Sequence, residues 1–165
     1  SVRPKSMPCR RARVPAKPAT RFSYDYARPA LTVDIVLATL EARPRVLLIR
    51  RKKDPFAGKW ALPGGFVDEK ERLVDAARRE LEEETGAKVS NLEQLYTAGD
   101  PGRDPRGWTV SVVFLARAEP RSIRARAADD AAAVKWFPLD DLPELAFDHA
   151  MILSRARARL IDRAE

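Results

Sequence analysis

Glu80, Glu83 and Glu84 stand at i, i+3 and i+4 in a stretch that reads as a helix from about residue 73 to 85, closed by Gly86. At about 100° per residue the three side chains share one arc about 100° wide. Leu73, Val74, Ala77, Leu81 and Thr85 form an apolar stripe beside that arc. Asp75, Arg78, Arg79 and Glu82 are expected to point toward the remaining, solvent side. Like charges on adjacent turns weaken a helix by roughly a few tenths of a kcal/mol per pair, so a compensating cation is expected. Mg²⁺ is the simplest one, since it takes oxygen ligands and is shared between protein carboxylates and substrate phosphates. The bland alternative is a solvated acidic face balanced by Arg78 and Arg79.

The residues before the helix favour the metal. The chain runs Gly65, five residues, Glu71, seven residues, Arg79, Glu80, Leu81, one residue, Glu83, Glu84, one residue, Gly86 and Ala87. This pattern resembles the signature of the Nudix hydrolases, which cleave nucleoside diphosphates linked to another group. Lys70 departs from it where the family usually has Gly, and Arg72 where a capping Ser or Thr is common. Both departures concern the loop shape and the helix start, not the acidic residues.

The resemblance implies that Glu80, Glu83 and Glu84, helped by the backbone carbonyl of Gly64, hold Mg²⁺ or Mn²⁺. Arg79 would anchor these carboxylates through an ion pair, with Glu71 as a partner. For the base that takes a proton from water, Glu83 ranks together with Asp130, which with Asp129 precedes a strand. The segment 100–107 resembles a loop of ADP-ribose pyrophosphatases, a branch marked by a proline about 15 residues after the signature; here Pro101 is 14 residues past Ala87. Arg103 and Arg106 would then meet phosphate, since guanidinium offers several donors, and Trp108 or Tyr24 would stack on adenine. Alternatively both arginines pair with Asp100 and Asp104 to fix the loop itself.

The expected reaction is hydrolysis of ADP-ribose to AMP and ribose 5-phosphate. Two rivals stand beside it. One is an ADP-ribose-sensing regulator, whose relatives carry a similar loop followed by a DNA-binding winged helix; with about two residues after the closing helix, no such domain is expected here. The other is an 8-oxo-nucleotide triphosphatase, which shares the signature and gives no reason for the 100–107 loop.

The elements that must position these groups read as follows. Strands are expected over residues 29–40, 45–51, 91–98, 109–116 and 131–137, and a closing helix over 148–163 with Ile152, Leu153, Ala156 and Leu160 on one side. The glycines and Pro63 in 60–67 let backbone approach something closely, and Trp60 reads as a packing residue. Strands flanking one helix, with another at the end, give an α/β/α sandwich with a mixed sheet. The resemblance implies the same fold over residues 30–163, with the signature helix between two sheets.

At 165 residues the chain supports one well-buried domain. Hydrophobic content of 45% and charged content of 33% suit a soluble protein, and no run of about 18 apolar residues suggests a membrane span. The net charge of +7 is local: residues 1–21 carry seven basic residues and no acid, and the remaining 24 basic residues balance 24 acids. Four prolines mark that segment as a flexible arm preceding a domain at 22–165, touching polyanions at most non-specifically. No specific nucleic-acid partner follows from it. A chain starting near Phe22 is expected to keep its turnover, because every signature residue lies later; steady-state kinetics of the truncated chain check this. The single cysteine, Cys9, excludes an internal disulfide and points to a reducing, cytoplasmic setting. A homodimer stays open.

Overall fold

The computed structural model describes residues 23–123 and 131–161. Within them the order is β1 (Ala30–Thr39), β2 (Arg45–Arg51), β3 (Trp60–Ala61), β4 (Gly64–Phe66), α1 (Leu73–Thr85), β5 (Glu93–Ala98), β6 (Thr109–Ala118), β7 (Ala131–Pro138) and α2 (His149–Ile161). A 3-10 turn at Pro120–Ser122 follows β6. The arm and Asp129–Asp130 lie outside the described residues.

All seven strands form one sheet with the path β3-β2-β1-β6-β5; β4 joins β1 and β7 joins β2. β1 and β6 run parallel over their whole lengths, and the other pairings are antiparallel. The sheet is therefore mixed, and it is single where the resemblance implied two.

β1 is apolar on both faces because both faces are covered. Val33, Ile35 and Leu37 pack with Ala76, Ala77 and Leu81 of α1, while Val36 and Ala38 pack with Ile152, Leu153 and Ala156 of α2. The helices thus lie on opposite faces, as an α/β/α sandwich requires. Burying a side chain such as Leu81 contributes about 1.5–3 kcal/mol, which outweighs the repulsion on the exposed side of α1. Among the described residues no helix is long and apolar enough to cross a membrane.

The two departures from the signature leave visible marks. Lys70 adopts φ 65°, a conformation that favours glycine. Arg72 occupies the N-cap of α1 with extended geometry and offers no side-chain bond to the helix. We expect Lys70→Gly to raise the unfolding free energy by about 1 kcal/mol, and Arg72→Ser to add about 1 kcal/mol. Denaturant melts of the two variants check both values.

Candidate active site

The loop between β3 and β4 is pressed against the centre of the sheet. The Ile35 N–H donates to the Pro63 carbonyl at 2.8 Å, and a Cβ at position 64 would lie 2.1 Å from the Val33 carbonyl oxygen. A Cβ at position 65 would lie 2.5 Å from the Glu80 carboxyl carbon. Glycine is required at position 64, where the neighbour is β1 main chain that cannot give way, whereas a Cβ at position 65 would push aside the Glu80 carboxylate.

Arg79 turns inward and ties that face together. Nε and Nη2 donate to the two Glu71 oxygens at 2.8 Å, Nη1 to Glu80 at 2.7 Å and to Glu83 at 3.3 Å, and Nη2 also to the Phe66 carbonyl at 3.1 Å. The expectation of a solvent-facing Arg79 is corrected here: helical angle alone put it outside, but its long side chain bends back to Glu71 and the β4 backbone. This fork holds the Glu71 carboxyl down at about 2. Glu82 points away and pairs with Lys88 at 2.8 Å.

Glu80 and Glu84 face a cavity of about 360 Å³. Burial pushes the Glu80 carboxyl upward against the pull of Arg79. Glu84 is pushed up to about 8, chiefly by burial; the Gly64 N–H, donating to it at 2.9 Å, opposes the shift. Glu84, half-buried and held at about 8, needs a cation to ionise fully at neutral pH. An all-oxygen donor set of Glu80, Glu83, Glu84 and the Gly64 carbonyl suits a hard divalent ion. Among the described residues no three acidic, His or Cys side chains converge as a ligand set, because Arg79 draws Glu80 and Glu83 while Glu84 caps Gly64.

The opposite wall carries arginines set among acids. Arg103 is buried and forks onto Asp148 at 2.7 and 2.8 Å, with Asp34 3.8 Å away. Asp34 accepts a short hydrogen bond from Ser111 and faces His149 Nε2 at 3.4 Å. His149 Nδ1 accepts the Leu62 N–H at 2.9 Å, which fixes the neutral tautomer, and burial lowers its pKa further. Arg106 forks onto buried Asp104 at 2.7–3.2 Å. Arg51 and Phe147 complete this side.

Comparison with known protein families matches the NUDIX domain model to residues 28–156, which hold this helix and the Gly-Gly turn. The chain belongs to the Nudix hydrolase family. An ADP-ribose pyrophosphatase of Methanocaldococcus jannaschii is 43% identical over 130 residues, 78% of this chain and 73% of that protein. An ADPR-responsive transcriptional repressor of Acinetobacter baylyi is 37% identical over 141 residues, and the match spans 82% of this chain and 56% of the repressor. The NUDIX domain of Shewanella oneidensis NrtR, solved in complex with ADP ribose, superposes with a TM-score of 0.74 at 40% identity, covering 82% of this chain and 90% of that one.

The Nudix cavity gathers Gly64, Arg79, Glu80, Glu84, Arg103 and Arg106 of the residues singled out from sequence. Glu71 and Glu83 sit beside it, bound to Arg79. Trp108 and Tyr24, both exposed, are not among the lining residues, and Arg28 lies over the Tyr24 ring at 3.8 Å. Arg106 pairs with Asp104, as the loop-fixing alternative holds. The Arg103 side chain takes neither Asp100 nor Asp104 but Asp148, just before α2, a partner 45 residues away that no local pattern could supply. Sequence reasoning passed over Asp34, Arg51, Phe147 and His149. Asp34 alone left a signal, as the one acid in an otherwise apolar central strand.

Proposed function

We propose that this chain hydrolyses ADP-ribose to AMP and ribose 5-phosphate with a divalent cation. One observation carries the reading: a cavity sets the half-buried carboxylates Glu80 and Glu84 against Arg51, Arg103 and Arg106, the last two held in place by Asp148 and Asp104. A diphosphate and a divalent cation together match that pairing of charges, and the cavity volume is in the range of small-molecule sites. The likeness to an ADP-ribose pyrophosphatase supports the substrate.

When bound, Mg²⁺ or Mn²⁺ neutralises phosphate charge and lowers the pKa of a coordinated water. Glu80, Glu83, Glu84 and the Gly64 carbonyl are the groups proposed to hold it. Arg79 keeps the glutamates oriented through its bonds to Glu71 and Phe66. Glu83 and Asp130 are the two groups proposed to accept the proton from water as its oxygen bonds to phosphorus and the bridging P–O bond breaks. Arg106, preset by Asp104, meets phosphate oxygen, and Trp108 or Tyr24 covers the adenine.

A second reading, an ADP-ribose sensor, rests on the likeness to the repressor. Product analysis over ADP-ribose, ADP-sugars, NADH, dinucleoside polyphosphates and 8-oxo-dGTP separates them. Expected is metal-dependent release of AMP and ribose 5-phosphate from ADP-ribose in preference to the other compounds. ADP-ribose bound without turnover favours the sensor; preferential cleavage of 8-oxo-dGTP rejects both.

A further inference from the structure

Among the described residues three besides glycine adopt positive φ: Phe56 at 65°, Lys70 at 65° and Phe147 at 52°. Lys70 belongs to the loop before α1. The two phenylalanines touch each other, with ring centres 4.8 Å apart in a T-shaped contact. A bulky side chain in this region is strained and persists only where its surroundings over-determine it.

Those surroundings are cationic. The Arg51 guanidinium lies over the Phe147 ring at 4.9 Å and that of Arg106 at 5.1 Å, so one ring serves two cations of like charge. Arg106 also lies over Phe66 at 5.1 Å and is balanced by Asp104. Arg51 differs. Among the described residues its guanidinium donates to two main-chain oxygens, of Pro55 at 2.8 Å and Lys53 at 3.4 Å, and forks onto no carboxylate, while Glu84, Asp104 and Asp54 act on it only at longer range. Burial first and neighbouring Arg106 second lower its pKa, against the pull of Glu84, Asp104 and Asp54, and an incoming anion would add to that pull. Arg51, Arg106 and Phe147 line the same cavity as Glu80 and Glu84.

We propose that Phe56 and Phe147 are positioning residues that hold Arg51 and Arg106 side by side as a two-cation clamp for a diphosphate, Arg51 being the member neutralised by phosphate oxygen. Guanidinium suits the task because its planar fork meets phosphate with parallel donors and stacks on aromatic rings. The identity of the diphosphate rests on the function proposed above, while the clamp itself requires only the phosphate chemistry.

The test is equilibrium binding in chelator, using ADP-ribose, inorganic pyrophosphate and uncharged adenosine, with thermal melts of every variant. Arg51→Gln is expected to weaken both phosphate ligands by about 10–100-fold, and Phe147→Leu by about tenfold, with adenosine unaffected and Phe147→Tyr restoring affinity. Parent affinity for pyrophosphate in Arg51→Gln overturns the clamp, as does failure of the parent to bind either phosphate ligand. A lowered melting point in Phe147→Leu with unchanged affinity overturns the positioning role. Should Phe147→Leu fail to fold, Phe56→Leu takes its place, and parent affinity for pyrophosphate in that variant overturns the positioning role. If the parent binds pyrophosphate but not ADP-ribose and the variants lose it, the clamp stands and the ADP-ribose reading falls.

Discussion

Glu83→Gln is expected to lower turnover by several orders of magnitude while the protein remains folded. The substitution keeps the shape of the side chain and removes a charge proposed to neutralise a cation at the reacting phosphate. Little stability is at stake, because Glu83 is largely exposed and its ion pair with Arg79 is long at 3.3 Å. Glu82→Gln is the control on the neighbouring position: its side chain leaves the acidic arc for Lys88. Steady-state kinetics and metal-free melts of both variants check the result. Equal inactivation of the two would reject the assignment of faces, and full activity in both would make the acidic stripe a solvated surface.

The second large effect is on metal-free stability. In the unfolded chain Glu84 titrates at its ordinary value of 4.5, and in the fold at about 8. Between those values the folded state binds more protons than the unfolded one, so stability falls as pH rises. At about 1.4 kcal/mol per pH unit the loss is on the order of 4 kcal/mol by pH 8. Glu80, also raised, acts in the same direction. Glu71, held at about 2, acts in the opposite direction only below pH 4.5 and leaves this window untouched. Chemical denaturation in chelator from pH 5 to pH 8 measures the slope. Glu84→Gln should flatten it, since the amide oxygen can still accept the Gly64 N–H and has nothing to titrate.

Local periodicity carried most of the fold. The bounds of α1 are those read from its apolar stripe and Gly86, because a helix stop and a 3.6-residue period are local properties. β5 begins at Glu93 rather than residue 91, and β6 runs to Ala118 rather than 116. Strand ends depend on how long a partner continues, which no single segment records. Residues 60–67 divide into β3 and β4 because their partners differ: Ala61 pairs with Ile49 of β2, Gly65 with Val33 of β1.

For the site, the acidic half was legible because one helix and one turn carry it. The arginine half was not. Arg51 reads as the end of an ordinary strand until Phe147 arrives from the connection before α2 to lie beneath it. Asp34 and His149 are 115 residues apart and meet only when α2 docks on the sheet. Arg79 shows the limit of angular reasoning, since its direction is set by Glu71 and the Phe66 carbonyl outside the helix.

Titration of Mn²⁺ into the metal-free protein near pH 7, followed by the spin-resonance signal of free Mn²⁺ and by proton release, tests the cation site most directly. Expected is saturable binding with release of a proton from the Glu84 carboxyl, at least about tenfold weaker in Glu84→Gln and unchanged in Glu82→Gln. Absence of saturable binding, or equal binding by the Glu84→Gln variant, would contradict the cation site.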